Sequence, residues 1–311
     1  MSNNRNYYVR RAQHAGSWYE DDESQLNATL SRYLANAQVD DNTASPLRGL
    51  IGPHAGYSYS GPTAAWAYKA LTLALTEQAN NITTILVLHP SHHVYLDGCA
   101  VSNATVVETP LGNLEVDEAL RAELLATNEF TTMSQATDED EHSGELHYPY
   151  IAKACKDAGV LATIQILPIM VGSIGEAKEE HFGKLLAGTI ARQDIISVIS
   201  TDFCHWGSRF RYQPSGAGTE PIFQYISNLD HRGMSHIELQ QPGAFAAYIR
   251  ETKNSICGRH PVAVWLHATR HNQTLGNEEL QVKFIRYEQS SQVKSMQDSS
   301  VSYASALARK L

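Results

Sequence analysis

Residues Thr83–His93 read TTILVLHPSHH, an aliphatic run that stops at a histidine, a proline and two further histidines. Ile85, Leu86, Val87 and Leu88 are too few for a buried helix and rich in strand formers. Their spacing predicts a strand covered on both faces, which is how a central parallel strand reads. Pro90 is expected to end it. The histidines then fall at the carboxyl edge of a sheet, where open α/β folds build their sites.

The pattern recurs along the chain. A short strand over Gly49–Gly52 runs into Pro53 and His54, the run ATIQILPIMVG gives a third apolar strand, and IISVISTDFCHWG brings a fourth to Asp202, Cys204 and His205. Helix formers over Ala64–Leu75 join the first two of these strands as a β-α-β unit, so the centre of the sheet is expected to be parallel. Helical spacing also appears in Glu23–Leu34, Glu115–Thr127, Glu176–Ile190 and Pro242–Thr252, while Gln281–Tyr287 alternates as a strand. Residues 1–12 read as a loose lead-in, Gln38–Ser45 as a polar linker, Gly207–Pro221 as a long loop, and Ser290–Ser300 as a loop or partly mobile tail. With no internal repeat and the histidines spread over most of the chain, residues 1–311 are expected to form a single domain.

Composition narrows the function. Forty-two per cent hydrophobic and 18% charged residues describe a globular chain, and 24 Lys+Arg against 33 Asp+Glu give a net charge of −9. That charge offers no general field for nucleic acid or an anionic membrane. No apolar stretch reaches the roughly 18 to 20 residues that span a bilayer, and MSNNRNYYVRR lacks the core of a signal peptide. The expected location is the cytoplasm, with the nucleus as a second compartment. Cys99, Cys155, Cys204 and Cys257 are few and scattered, as free thiols of a reducing compartment would be.

His54, His92, His93 and His205 all follow apolar strands, and parallel strands bring such endings together. Cys257, in ICGRHP, lies just before a helix that Pro261 helps to start, a setting that favours a thiolate, though a small buried hydrophobe is the plainer alternative. Two imidazoles and a thiolate would suit copper, zinc or iron. The sequence has no GxSxG elbow, P-loop, GxGxxG or CxxC. His142, Glu145 and His147 in HSGELH do not have the HExxH spacing, so capping or a supporting role is expected of them rather than ligation.

The motifs HAGSWY, PHAGYSYSG, HPSHH, TDEDEHSGELHYPY, STDFCHWGSRFRY, CGRHP and QDSSVSYA, between His14 and Ala304, together resemble the Memo family, mediators of cell motility driven by a receptor tyrosine kinase. The resemblance implies a three-layer α/β/α sandwich with a largely parallel central sheet, similar to class III extradiol dioxygenases. It implies a copper or iron ion held by His54, His92 and Cys257, with His205 in the same pocket and Trp18, Tyr59 and His93 bordering it. Asp202 is expected to orient rather than ligate, and Asp202 with His205 would be the groups for proton chemistry. Motility, cytoskeletal or invasive-growth signalling follows by the same resemblance, with phosphotyrosine peptides or signalling proteins as partners. The alternative is a non-haem iron dioxygenase of a small aromatic substrate, against which stands a cysteine where the dioxygenases keep a carboxylate. The family's usual GPSHH carries His89 here, which is expected to occupy a loop rather than to add a ligand.

Overall fold

In chain order, the residues described by the computed structural model (7–39, 45–78, 81–215 and 220–311) form β1 (Val9–Arg10), α1 (Glu23–Asn36), β2 (Leu47–Gly52), α2 (Tyr57–Glu77), β3 (Thr84–Pro90), β4 (Cys99–Val101), β5 (Val106–Val107), β6 (Leu114–Val116), α3 (Glu118–Ala126), β7 (Phe130–Thr132), α4 (Gln135–Asp140), α5 (His142–Glu145), α6 (Tyr148–Asp157), β8 (Gln165–Val171), α7 (Glu176–Ile190), β9 (Ile195–Ser200), β10 (His205–Trp206), α8 (Ile222–Glu238), α9 (Pro242–Thr252), α10 (Arg259–Leu275), β11 (Leu280–Gln289) and β12 (Ser300–Lys310). The strands make one sheet whose main path is β1-β5-β6-β8-β3-β9-β2-β12-β10, with β11 on β12, β4 on β8 and β7 on β4.

From β6 through β8, β3 and β9 to β2 the pairing is parallel, and β12 then runs antiparallel between β2 and β11. The expected largely parallel sheet is therefore a mixed one with a parallel centre. Every residue of β2, β3 and β9 is buried, as strands covered on both faces must be. Helices flank the sheet in two groups: α7 packs along α10 against β3 and β9, while α2 packs on α1, α6, β2 and β12.

Several expectations need correction. Pro90 ends β3 as expected, but from within it, as the last residue of the strand, opposite Val171 of β8. Pairing with β9 stops at Leu88, so at Pro90 one flank has no partner strand and a missing N–H is tolerated. Pro168 inside β8 sits likewise in the gap where its neighbour changes from β6 to β4. Helix α2 starts at Tyr57 rather than Ala64 and runs through Pro62. Helix α3 starts at Glu118 rather than Glu115, because Leu114–Val116 pair as a strand and the Asp117 side chain caps the helix by accepting from the Leu120 N–H.

The lead-in falls in two parts. Residues 1–6 lie outside the described residues, as do 40–44 of the linker and 216–219 of the long loop. The remainder is not loose: Val9–Arg10 pair with β5, and the fully buried Arg10 guanidinium reaches Asp138 at 3.0 Å and Glu145 at 2.7 Å. The Ser290–Ser300 stretch is a connection between β11 and β12, not a tail.

Candidate metal centre

β2, β9, β3 and β8 lie side by side and parallel, so their carboxyl ends open at one edge. His54 follows β2, His92 follows β3, and Asp202 and His205 follow β9. Cys257 arrives from the turn before α10, and α5 brings Glu141 and His142 across the same edge. Ligating atoms of His54, His92 and Cys257 lie within 4.8 Å of one another; those of Asp202, His205 and Cys257 form a second such group, and those of His92, Glu141 and His142 a third.

The hydrogen bonds fix which nitrogen of each ring faces inward. Ser200 donates its hydroxyl hydrogen to the Ser143 carbonyl at 2.8 Å, so its oxygen must accept from His54 Nδ1–H, 2.6 Å away. His54 Nε2 is left as a lone pair facing Cys257 Sγ at 3.1 Å. Glu141, an acceptor only, takes His92 Nδ1–H at 2.8 Å and the His92 backbone N–H at 2.6 Å, leaving His92 Nε2 for Cys257. His205 Nδ1–H is shared between the carbonyls of Phe203 and Ser255, at 2.9 and 3.1 Å. Each imidazole is oriented through its outer nitrogen, the arrangement that holds histidine ligands in metal sites. Once the His92 and Cys257 protons have left, two inward nitrogens and a sulfur fit a borderline or soft ion.

Electrostatics follow from burial and these contacts. Burial and the neighbouring histidines hold His54 well below its ordinary range, so it is neutral. Burial also works against a charged His92, but hydrogen bonds to Cys257 and Glu141 outweigh it and raise the ring to about 10. Burial alone would raise the Glu141 carboxyl; the His92 contacts hold it well below the usual range instead. Asp202 is pushed up to about 7 by burial, against the hydrogen bond it accepts from the His54 backbone N–H at 2.9 Å. The Cys257 thiol is raised by burial, with His92 pulling the other way. Cys99, Cys155 and Cys204 are free, buried thiols, all raised by burial.

His142 is a residue that sequence reasoning assigned only a supporting role, yet it sits at the centre of the ring contacts. Its ring stacks on Trp18 at 4.5 Å and on His92 at 4.6 Å, and meets His93 edge-on at 5.8 Å. Burial and the His92 charge depress it to about 3. Glu145 belongs to none of the three groups; it accepts from Arg10, from the His14 backbone and ring, and from Tyr19 Oη, which ties the Trp18 loop down. His147 is buried against Tyr68 Oη at 2.6 Å. Tyr59, expected at the pocket, is 64% exposed on the first turn of α2 and has no ring contact with these histidines. His89 is not in a loop: it is buried on β3 with Nδ1 directed at the Pro90 carbonyl, 3.0 Å away.

A family described as Memo-like protein matches residues 10–307. The chain is 45% identical over 295 residues to Protein MEMO1 of Rattus norvegicus and 44% identical over 295 residues to that of Homo sapiens, with 95% of this chain and 95% of the relative covered in both cases. It is 40% identical over 301 residues to the Caenorhabditis elegans Protein memo-1 homolog, covering 96% of this chain and 82% of the relative. Among solved structures, an uncharacterized protein of Escherichia coli K12 aligns with a TM-score of 0.46 at 17% identity, over 82% of this chain and 98% of that one.

Proposed function

The chain belongs to the Memo-like family, and from that premise we propose that it is a cytoplasmic, redox-active metal protein of motility, cytoskeletal or invasive-growth signalling. His54, His92 and Cys257 hold the ion, copper or iron. The observation that carries the reading is the approach of their ligating atoms to within 4.8 Å, with the outer ring nitrogens already bonded. Bound copper or iron would supply one-electron chemistry there. The chain supplies the rest: Glu141 and Ser200 orient the imidazoles, and Asp202, near neutrality in its protonation, can take or give a proton beside Cys257. Trp18 and His93 at the mouth offer stacking to an aromatic ligand such as a phosphotyrosine side chain.

Metal analysis of freshly purified native protein tests this. About one equivalent of copper or iron is expected, and Cys257→Ser should lose most of it while remaining folded; equal metal content in the two proteins would remove the reading. The second reading, an iron-dependent dioxygenase, draws on the Asp202 carboxylate, whose oxygen groups with His205 and Cys257. Ring-opened product at enzymatic turnover from a catechol panel with Fe(II) and oxygen would favour it.

A further inference from the structure

The first turns of α7 and α10 and one face of α9 line a cavity of about 240 Å³. Part of its wall is apolar: Ile174, Phe245 and Ala263 are buried there, beside Ala246 of α9. The acidic side chains on its lining are already partnered, Glu176 with Arg250 and Glu179 with His260 Nδ1 at 2.6 Å. Arg259 is different. It lines the cavity half-buried, and among the described residues its guanidinium has neither an ion pair nor a hydrogen bond. A partly desolvated guanidinium is a fork of donors without an acceptor, and a carboxylate matches it in shape and charge. The N-caps of both helices, Gly175 and Gly258, provide no side-chain cap, so the positive ends of α7 and α10 add to the same potential.

We propose that this cavity binds a small amphipathic monocarboxylate, its carboxylate on Arg259 and its apolar body against Ile174, Phe245 and Ala246. A dianion such as phosphate is disfavoured, because Glu176 and Glu179 share the lining and the other polar side chains there, Arg250 and His260, are already paired with them. A neutral alcohol of the same shape would leave the guanidinium without its partner.

Calorimetric titration of the full chain, as purified, with 4-phenylbutyrate tests the assignment, with 4-phenylbutanol and inorganic phosphate titrated alongside. Saturable one-to-one binding of the carboxylate is expected, with the other two at least about tenfold weaker. Arg259→Gln should weaken it by about tenfold to a hundredfold. Ala246→Leu, which fills the cavity from a helix that does not carry Cys257, should weaken it as well, and both variants should keep the metal content of the parent. Absence of saturable binding, equal binding of phosphate or the alcohol, or unchanged affinity in whichever variant is folded by thermal melt would overturn the proposal.

Discussion

Glu141 holds His92 twice, by the backbone N–H at 2.6 Å and by the ring Nδ1–H at 2.8 Å, so one carboxylate sets both the loop and the tautomer of a candidate ligand. The same carboxylate also accepts from the Ser143 N–H at 3.0 Å at the start of α5. Strand β3 and helix α5 are thereby locked to each other at the site.

Replacing that carboxylate should act on the ion rather than on the fold. Glu141→Ala is expected to lower copper or iron affinity by about tenfold to a hundredfold, with Glu141→Gln between it and the parent. Competition titration reads the affinity, and unchanged affinity in both variants would show that His92 needs no orientation or is no ligand.

The pH dependence of metal binding follows from the protons that must leave. Metal-free His92 is raised to about 10 and the Cys257 thiol is raised by burial, so at neutral pH both carry a proton that competes with the ion. Apparent Cu(I) affinity should rise steadily from pH 6 to 9, by about tenfold per unit for each proton displaced. In Cys257→Ser one displaced proton is lost, and so is the contact that helps raise His92, so the slope should flatten and Cu(I) affinity fall more than that for a hard ion. Superimposable curves for the two proteins would remove Cys257 from the ligand set.

Arg10 neutralises Asp138 and Glu145 in full burial. Arg10→Ala leaves both carboxylates without that partner and should destabilise the fold by about 3–5 kcal/mol, measured by urea unfolding. Glu145 is depressed, since the His14 and Arg10 contacts outweigh burial, which alone would raise it. A carboxyl depressed in the folded state contributes stability that is complete above its unfolded value near 4.5 and is lost as pH falls towards the lower folded value. Acid should therefore loosen the Trp18 loop below that pH; Trp18 emission, compared with Trp18→Phe, should change there before global unfolding, and a coincident transition would count against it.

Gly258 needs space rather than freedom. Its φ of −86° suits any residue, but a Cβ there would lie 2.2 Å from the Ser200 carbonyl oxygen and 2.4 Å from Thr201 Cβ. Gly258→Ala should cost about 1–3 kcal/mol of stability and displace the neighbouring Cys257, lowering metal affinity as well. A variant with parental affinity and melting temperature would mean that the turn before α10 yields freely.

Local patterns made the parallel centre legible. Aliphatic runs ending at His54, Pro90 and Asp202 announce both a covered strand and the edge at which it stops, because each signal sits within about ten residues of sequence. Glu141 and His142 could not be read the same way: in TDEDEHSGELHYPY they look like a solvated acidic entry to a helix, and only the fold brings them to His92. Strand β12 was hidden by its own packing. It is buried from Ser300 through Ala308 but built of serines and alanines, which let it lie against α2, where Ser305 Oγ donates to the Thr63 carbonyl at 2.7 Å. In α8 the helical spacing of Ile226, Leu229, Met234 and Ile237 is present in the sequence but diluted by polar neighbours.

The position of β12 also orders the assembly of the molecule in time. Ile51 of β2 pairs with Ala306, and His205 of β10 pairs with Val301, so the flank of β2 and the backbone carrying a pocket histidine both wait for residues made far later in synthesis. Until those residues leave the ribosome, β2 presents an open, apolar edge. Pairings of such long range form slowly and leave intermediates prone to aggregation. The nascent chain therefore carries that edge uncovered until β12 is complete, and an ion held by His54, His92 and Cys257 could be loaded only after translation has passed Cys257.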